Sequence, residues 1–501
     1  MKKLSNAFNT ILKPQIFAVV YLVWLCINMI AVINPLPFTR IFLALSAVWA
    51  AAVCVKQYFF SGLTPYKKKW MPLLFAFLLT GFLALLIQFK YSGVKMLVQF
   101  CFFAVAILLL YAQYGSDSKT YQKVMLQTSK AIGIIISITM LISIVMFVLL
   151  YSNVVTLRTG TELHFGFYEN RLVGVFTSPN VGGAFALICI WASLLTIELH
   201  QEKKLKIFWR VLSVIQIVLS ATYISLALSR GTYVAVYVFL AFYLLLYAPL
   251  KKEEGMKIGK RIALRLISTV LICALSAGAF SVLHTISTQI MNVYYTHHIG
   301  ANSGDAAALD PVKAETFQNA QLGFDGRTEA NRADIDVSNK RFDIWETHLS
   351  FLKGKKLLFG IGNPVNYYKT SLAEGVEFTE HQKTFVEWAI GNMHNGYIQV
   401  LVNCGIVPFL LFIAFLLICG IKAIQFIIGL GSKRIDPKSP AAIVFTLSLP
   451  IVCACLVNNL MESNFVLMGA SFLQAIFWFA AGACVQAIEE TKTSKNGVVK
   501  K

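Results

Sequence analysis

The sequence predicts an all-α polytopic membrane protein with about twelve transmembrane helices, both termini cytoplasmic and one large extracytoplasmic loop. Three observations carry that expectation. The chain of 501 residues is 57% hydrophobic, with a mean hydropathy of +0.67. Only 14% of its residues are charged, against about 25% in a soluble protein. Its Lys and Arg residues are also distributed unevenly between alternate loops.

The apolar runs are at roughly 16–34, 40–60, 70–88, 94–112, 131–151, 179–199, 207–227, 232–248, 263–290, 396–421, 441–458 and 465–488, and most are long enough to cross a bilayer. The first has no small-residue cleavage pattern and reads as a permanent span rather than a signal peptide. With the N-terminus inside, 27 of the 44 Lys and Arg fall in segments 1–15, 61–69, 113–130, 200–210, 249–265, 422–440 and 489–501. The short loops on the opposite side hold Arg40, Lys90, Lys95, Arg158, Arg171 and Arg230. This is the positive-inside pattern. It assigns the net charge of +20 to orientation and to contact with anionic membrane lipids, and not to nucleic acid.

The expected organisation is nine transmembrane helices over 1–290, an extracytoplasmic loop over 291–394, three further transmembrane helices over 395–488, and a cytoplasmic tail over 489–501. The front half of the loop is polar and reads as mobile. Its second half regains an amphipathic pattern: Asp343 to Leu358 is expected as a helix, with Phe359-Gly360-Ile361-Gly362-Asn363-Pro364 breaking it. A loop of this length is either functional or disordered. No internal repeat is evident. All ten cysteines fall in expected spans, which implies small buried hydrophobes and no disulfide framework. His297 and His298 have no ligand at metal spacing, and neither a phosphate-binding glycine loop nor a nucleophile elbow occurs. No metal or cofactor is therefore expected.

The polar groups that remain gather at the outer boundary. Ser229-Arg230-Gly231 separates two apolar runs there, and Arg230 is either an orientation charge facing head groups or an anion clamp. Arg171 lies in the outer segment Asn170 to Asn180, whose Pro179 and Asn180 can start the next helix. Arg341 opens the loop helix, either as a surface charge beside Asp343 or as a ligand for an anion. In Gly391-Asn392-Met393-His394-Asn395-Gly396-Tyr397, His394 stands where an apolar run meets water. It is either an inert interfacial histidine or a general base. Asn395 could orient it or bind a sugar hydroxyl.

These elements together resemble the O-antigen ligase and polysaccharide polymerase superfamily, bacterial membrane enzymes that join lipid-linked glycans outside the inner membrane. The resemblance rests on Arg171-x-x-Gly174 with Pro179-Asn180, Ser229-Arg230-Gly231, Arg341-x-x-x-Trp345, Leu358-Phe359-Gly360-Ile361-Gly362, and His394-Asn395-x-Tyr397 followed by Gly405, in that order over about 170–410. It implies metal-independent glycosyl transfer from a polyprenyl-diphosphate-linked donor at the cytoplasmic (inner) membrane. Arg230 and Arg341 would hold the diphosphate and His394 would be the base. Arg171, Asn395, Tyr397 and Trp345 would bind substrate. The implied partners are the lipid-linked glycan, membrane lipids, a flippase and a chain-length regulator, and polymerisation is favoured over ligation to a different acceptor. The polar insert at about 296–338 departs from the compact family pattern. Two rivals remain: a lipid-oligosaccharide flippase, which would need charges deep inside several spans, and a non-catalytic assembly protein.

Overall fold

The computed structural model describes residues 9–60, 71–112, 118–149, 151–156, 162–168, 171–200, 202–246, 258–298, 341–389, 391–432, 434–463 and 471–498. Helices dominate. In chain order they are α1 (Pro14–Asn28), α2 (Pro37–Val55), α3 (Met71–Ile87), α4 (Phe89–Val105) and α5 (Ser118–Val148). Strands β1 (Ser152–Thr156), β2 (Glu162–Tyr168) and β3 (Arg171–Gly174) follow. Then come α6 (Pro179–Leu199), α7 (Lys206–Ala227), α8 (Arg230–Leu246), α9 (Ile258–His298), α10 (Arg341–Ser350), α11 (Lys355–Phe359), α12 (Pro364–Ala373) and α13 (Glu380–Ala389). The chain continues through α14 (Gly396–Cys404), α15 (Ile406–Gly431), α16 (Pro440–Asn458) and α17 (Phe472–Val498).

Among the described residues nine helices are long and apolar enough to cross a membrane: α2, α4, α5, α6, α7, α9, α15, α16 and α17. Helices α1, α3 and α8 are apolar but shorter, with 15, 17 and 17 residues. The polytopic helical reading therefore stands at this level, with a correction to its all-α form. Residues 152–174, expected as outer loop, form an antiparallel meander β1-β2-β3. Strand β1 reads Ser-Asn-Val-Val-Thr and β2 carries Phe165 and Phe167, the β-branched and aromatic types that favour a pleated surface.

The chain divides into two compact units. One comprises 1–21, 44–123 and 336–501, and the other 22–43 and 124–335. In the second unit α6 is buried over nearly its whole length, as expected of a helix apolar all round. Ser178 caps it by accepting a hydrogen bond from the Val181 N–H at 3.2 Å, and Pro179 fits the first turn. Gly182 lets the Tyr223 ring of α7 approach, since a Cβ there would sit 1.9 Å from the hydroxyl. Tyr223 spends that hydroxyl on the Val173 carbonyl of β3 at 2.8 Å, which fixes the sheet to α7.

In the first unit α17 packs against α16 and the π-helical turn Ala106–Tyr111 that follows α4, and α15 packs against α3. Phe103, Tyr111, Phe415 and Trp478 meet edge-to-face or tilted at centroid distances of 5.5–6.0 Å. Such aromatic geometry contributes about 0.5–1.5 kcal/mol per pair beyond area, a useful increment where lipid removes most of the hydrophobic drive between helices.

The expected tenth span, 396–421, is two helices rather than one. Gly405 (φ +88°) breaks it between α14 and α15. The expected loop helix also divides, at Gly354 (φ +58°), into α10 and α11. The ninth expected span lies within α9, which continues through residues 291–298, so the first residues assigned to the loop are helical. The rest of the polar front half, 299–340, lies outside the described residues.

The folded part of the loop is a four-helix cap, α10 to α13, with Phe351, Ile361, Tyr367, Tyr368 and Val386 buried against Val402 of α14. Lys90 pairs with Glu374, and Asn366 Nδ2 donates to the Tyr91 carbonyl at 3.0 Å, so the cap is tied to the start of α4.

The cap also buries His348. Its Nδ1–H donates to the Ile344 carbonyl at 2.7 Å, and Nε2 has no partner. Burial pushes this imidazole down to about 4 from an ordinary value of 6.5. The unfolded state binds more protons than the folded state between those values. The stabilisation is thus complete above about pH 6.5 and declines as pH falls towards about 4. The full loss is about 3 kcal/mol, at about 1.4 kcal/mol for each factor of ten. Hydrogen exchange of the amides in 344–352 should accelerate over that pH window beyond the intrinsic chemical trend, and His348→Leu should abolish the excess.

Candidate functional site

Within the first unit, five of the predicted residues come together around the turn between α13 and α14. Arg341 stands at the first position of α10. Its Nη2 donates to Glu462 Oε1 at 3.1 Å, and its Nη1 lies 3.5 Å from the Met461 sulfur. The other Glu462 oxygen, Oε2, faces His394 Nδ1 at 3.5 Å. One carboxylate therefore bridges the expected base and an expected diphosphate ligand. Arg341 and His394 keep 20% and 29% of their side chains exposed, whereas Glu462 keeps 8%. The bridge is buried beneath two groups that reach the surface.

Glu462 was not found by sequence reasoning. It follows the apolar run 441–458 in Asn458-Asn459-Leu460-Met461-Glu462, where it reads as an ordinary carboxylate at a span boundary. The signal was the pairing of an acidic residue with the outer end of a span at all, because ionisable groups in that setting are functional candidates by default.

The alternative that made Arg341 a surface charge beside Asp343 is not what the structure shows, since its partner is Glu462. Other expected ligands are engaged by the fold. Asn395 caps α14: its Oδ1 accepts from the Tyr397 and Ile398 N–H groups, each at 3.0 Å, and its Nδ2 donates to the Leu460 carbonyl at 3.2 Å. A capping asparagine contributes about 1 kcal/mol. Tyr397 donates its hydroxyl to the Leu456 carbonyl at 2.9 Å. Trp345 donates Nε1–H to the Met393 carbonyl at 2.7 Å. These three residues help to hold the histidine turn and its neighbours in place, a positioning role that sequence did not suggest for Tyr397 and Trp345.

His394 itself has φ +47°. A left-handed conformation costs a residue with a Cβ roughly 1–2 kcal/mol, and such strain survives only where the surroundings enforce it. Among the described residues Leu228, φ +50°, is the other non-glycine with positive φ. It immediately precedes Ser229-Arg230, so one strained position lies in a motif singled out from sequence and the other beside one.

In the second unit, Arg171 reaches the residues that precede Ser229-Arg230. Arg171 leaves β3 and donates Nε–H to the Ala227 carbonyl at 3.0 Å; its Nη2 reaches Asn180 Oδ1 at 3.3 Å and the Leu228 carbonyl at 3.5 Å. It thereby closes the C-terminus of α7, where carbonyls lack helical partners and a cation is favoured. This is a structural assignment for a residue expected to bind donor. Ser229 caps α8 by accepting from the Thr232 N–H at 3.3 Å and from its hydroxyl at 2.9 Å. Arg230 follows as the first residue of α8, with its side chain exposed.

Two parts of the sequence pattern prove to be a single contact. Leu358 to Gly362 lies against the end of α14: Ile361 N–H donates to the Val402 carbonyl at 2.8 Å, and Gly362 N–H to the Asn403 carbonyl at 3.2 Å. A Cβ on Gly360 would stand 2.4 Å from the Asn403 backbone, and one on Gly405 2.2 Å from the Leu358 carbonyl oxygen. The glycines are required because main chain meets main chain. The seam also satisfies backbone groups released where the helix breaks, which membrane context demands.

Among the described residues no group of three or more His, Cys, Asp or Glu side chains could hold a metal ion. The ten cysteines are all free.

No curated protein matches the chain. A family model, Wzy_C, described as O-antigen ligase, matches residues 215–413. The matched stretch contains Arg230, Arg341, Trp345, His394, Asn395 and Tyr397, and leaves Arg171 and Glu462 outside it. Over residues 215–413 the chain is thus similar to the O-antigen ligase family.

Proposed function

We propose that this protein is a glycosyltransferase of the bacterial cytoplasmic membrane that joins polyprenyl-diphosphate-linked oligosaccharide units into a surface polysaccharide. The observation that carries the reading is the Arg341–Glu462–His394 bridge, one face of which reaches solvent. His394 takes the proton of an acceptor hydroxyl. The hydroxyl oxygen bonds to the anomeric carbon as the bond from that carbon to the donor diphosphate breaks, and the lipid diphosphate leaves with the electron pair. Glu462 beside Nδ1 favours the tautomer with the proton there and leaves Nε2 basic. Catalytic hydrogen bonds are often long before substrate binds, so 3.5 Å is compatible with this role. Arg341 lends charge to the leaving diphosphate. Its second nitrogen rests on a thioether, a weak acceptor that a phosphate oxygen readily displaces. Arg230, exposed at a helix start, is assigned to anion binding on its own evidence.

The glycan profile of a deletion strain tests the reading. Single lipid-linked units support polymerisation. A full-length lipid-linked chain that is never transferred supports ligation, the second reading, to which the similarity to O-antigen ligases points. Absence of outward-facing lipid-linked units would indicate a flippase and sink both.

The reading requires twelve crossings with α10 to α13 outside. In a cysteine-free background, Glu377→Cys should react with a membrane-impermeant thiol reagent in spheroplasts, and Ser432→Cys should not. Both positions are solvent-exposed, and the charge asymmetry sets the expected sides. The opposite labelling pattern would place the bridge in the cytoplasm.

A further inference from the structure

We infer that Gln399 is a positioning residue for His394, holding the strained turn from which the imidazole projects. The inference rests on the reading of His394 as the base. Gln399 lies on α14 and is 8% exposed. Its Oε1 accepts the Met393 N–H at 3.0 Å. Its Nε2 donates to the Gly391 carbonyl at 3.2 Å and to Asn403 Oδ1 at 3.1 Å. A single buried amide thus grips the turn on both sides of Asn392 and is itself oriented by Asn403.

The turn runs from α13 to α14 through Gly391, φ +78°, and His394, φ +47°. The Asn392 N–H donates to the Ala389 carbonyl at 2.8 Å, and Asn392 Oδ1 accepts the His394 N–H at 3.0 Å. Those bonds are local and would permit the turn to rotate as a body. Gln399 and Trp345 connect the middle of the turn to helices, as the Asn395 cap connects its end. Gln399 takes the N–H of Met393 from α14, and Trp345 donates to the carbonyl of the same residue from α10. The Met393 side chain is fully buried between them with Ile344 and Ala389. The peptide units flanking Met393 are therefore fixed, and His394 is the next residue along. Its left-handed φ follows from the direction in which the chain leaves Met393 and enters the Asn395 cap.

A group that acts through another reveals itself by non-additivity. The experiment measures transfer from the host's lipid-linked units in membranes carrying the full chain, for Gln399→Met, His394→Gln and the double variant. Gln399→Met keeps volume and loses all three hydrogen bonds. We expect kcat to fall by roughly 10²-fold, as misplacement of a reacting group by about 1 Å can do, with KM changed less than about twofold. In the His394→Gln background the same substitution should have almost no further effect, because there is no base left to misplace. Gln399→Glu keeps the acceptor for Met393 N–H but cannot donate to Gly391. It should fall between wild type and Gln399→Met, and it serves as the readout if the methionine variant does not reach the membrane. Equal loss in both backgrounds, or wild-type turnover in both Gln399 variants, overturns the positioning role. Wild-type turnover in His394→Gln alone instead overturns the reading of the base, so the two failures are distinct.

Discussion

His394→Gln is expected to reach the membrane at normal level and to transfer glycan about 10²–10⁴-fold more slowly, the usual contribution of a general base. That factor corresponds to roughly 3–5 kcal/mol in barrier. Glutamine keeps approximate size and hydrogen bonding but takes no proton near neutral pH. Little fold stability is at risk, since the imidazole is 29% exposed and lies 3.5 Å from Glu462. The backbone bond from the His394 N–H to Asn392 Oδ1 survives the change. Single lipid-linked units should accumulate in cells carrying the variant. If it builds polymer at the wild-type rate, the base lies elsewhere, and the cap carboxylates Glu380 and Glu387 are the next to test.

Arg341→Lys should lose about 10²–10³ in transfer rate, the range for removing one donor from a preorganised anion site, while the protein still inserts. Lysine keeps the charge and loses the planar fork. The present geometry uses that fork on two neighbours, Glu462 and Met461, and a single ammonium cannot span both. The ambiguity is that Arg341 is also half of a partly buried ion pair, whose disruption leaves Glu462 without a counter-charge. Exchanging the two residues, Arg341→Glu with Glu462→Arg, separates the roles. The pair is restored with its polarity reversed, so resistance of the cap to proteolysis should recover while transfer stays absent. Near-normal transfer by the exchanged protein would show Arg341 to be a strut and not a ligand.

Much of this arrangement was legible in the sequence. Apolar runs located the helices because in lipid the requirement for internal backbone hydrogen bonding leaves few alternatives. Pro179 opens α6 as expected, while Asn363-Pro364, expected only to break a helix, also starts one. The clustering of Arg341, Trp345 and His394 was foreshadowed by motif order. Other features were not legible, for physical reasons. The break at Gly405 hides in an apolar run because hydropathy does not register φ. The β-meander lies in a segment too short and too mixed in composition for periodicity to distinguish it from loop. Glu462 could be found only in three dimensions, since its partners are 68 and 121 residues away in the chain. For Arg171 and Asn395 the sequence identified important residues, and the structure adds contacts to the fold that it did not suggest. Both occupy boundary positions where a ligand contact and a helix cap call for the same polar groups.

The seam between Leu358–Gly362 and the end of α14 has a consequence for tolerance to mutation. A joint made by main-chain atoms stores its specification in very few letters. Gly360, Gly362 and Gly405 admit no other residue without displacing their neighbours, and Ile361 is held by the cap core, whereas Leu358 and Phe359 meet the end of α14 through main chain that every amino acid supplies. A library of variants across this stretch should accordingly be permissive at Leu358 and Phe359 and abruptly intolerant at the three glycines. Drift in the cap can proceed around these fixed points without detaching it from the helix that follows His394.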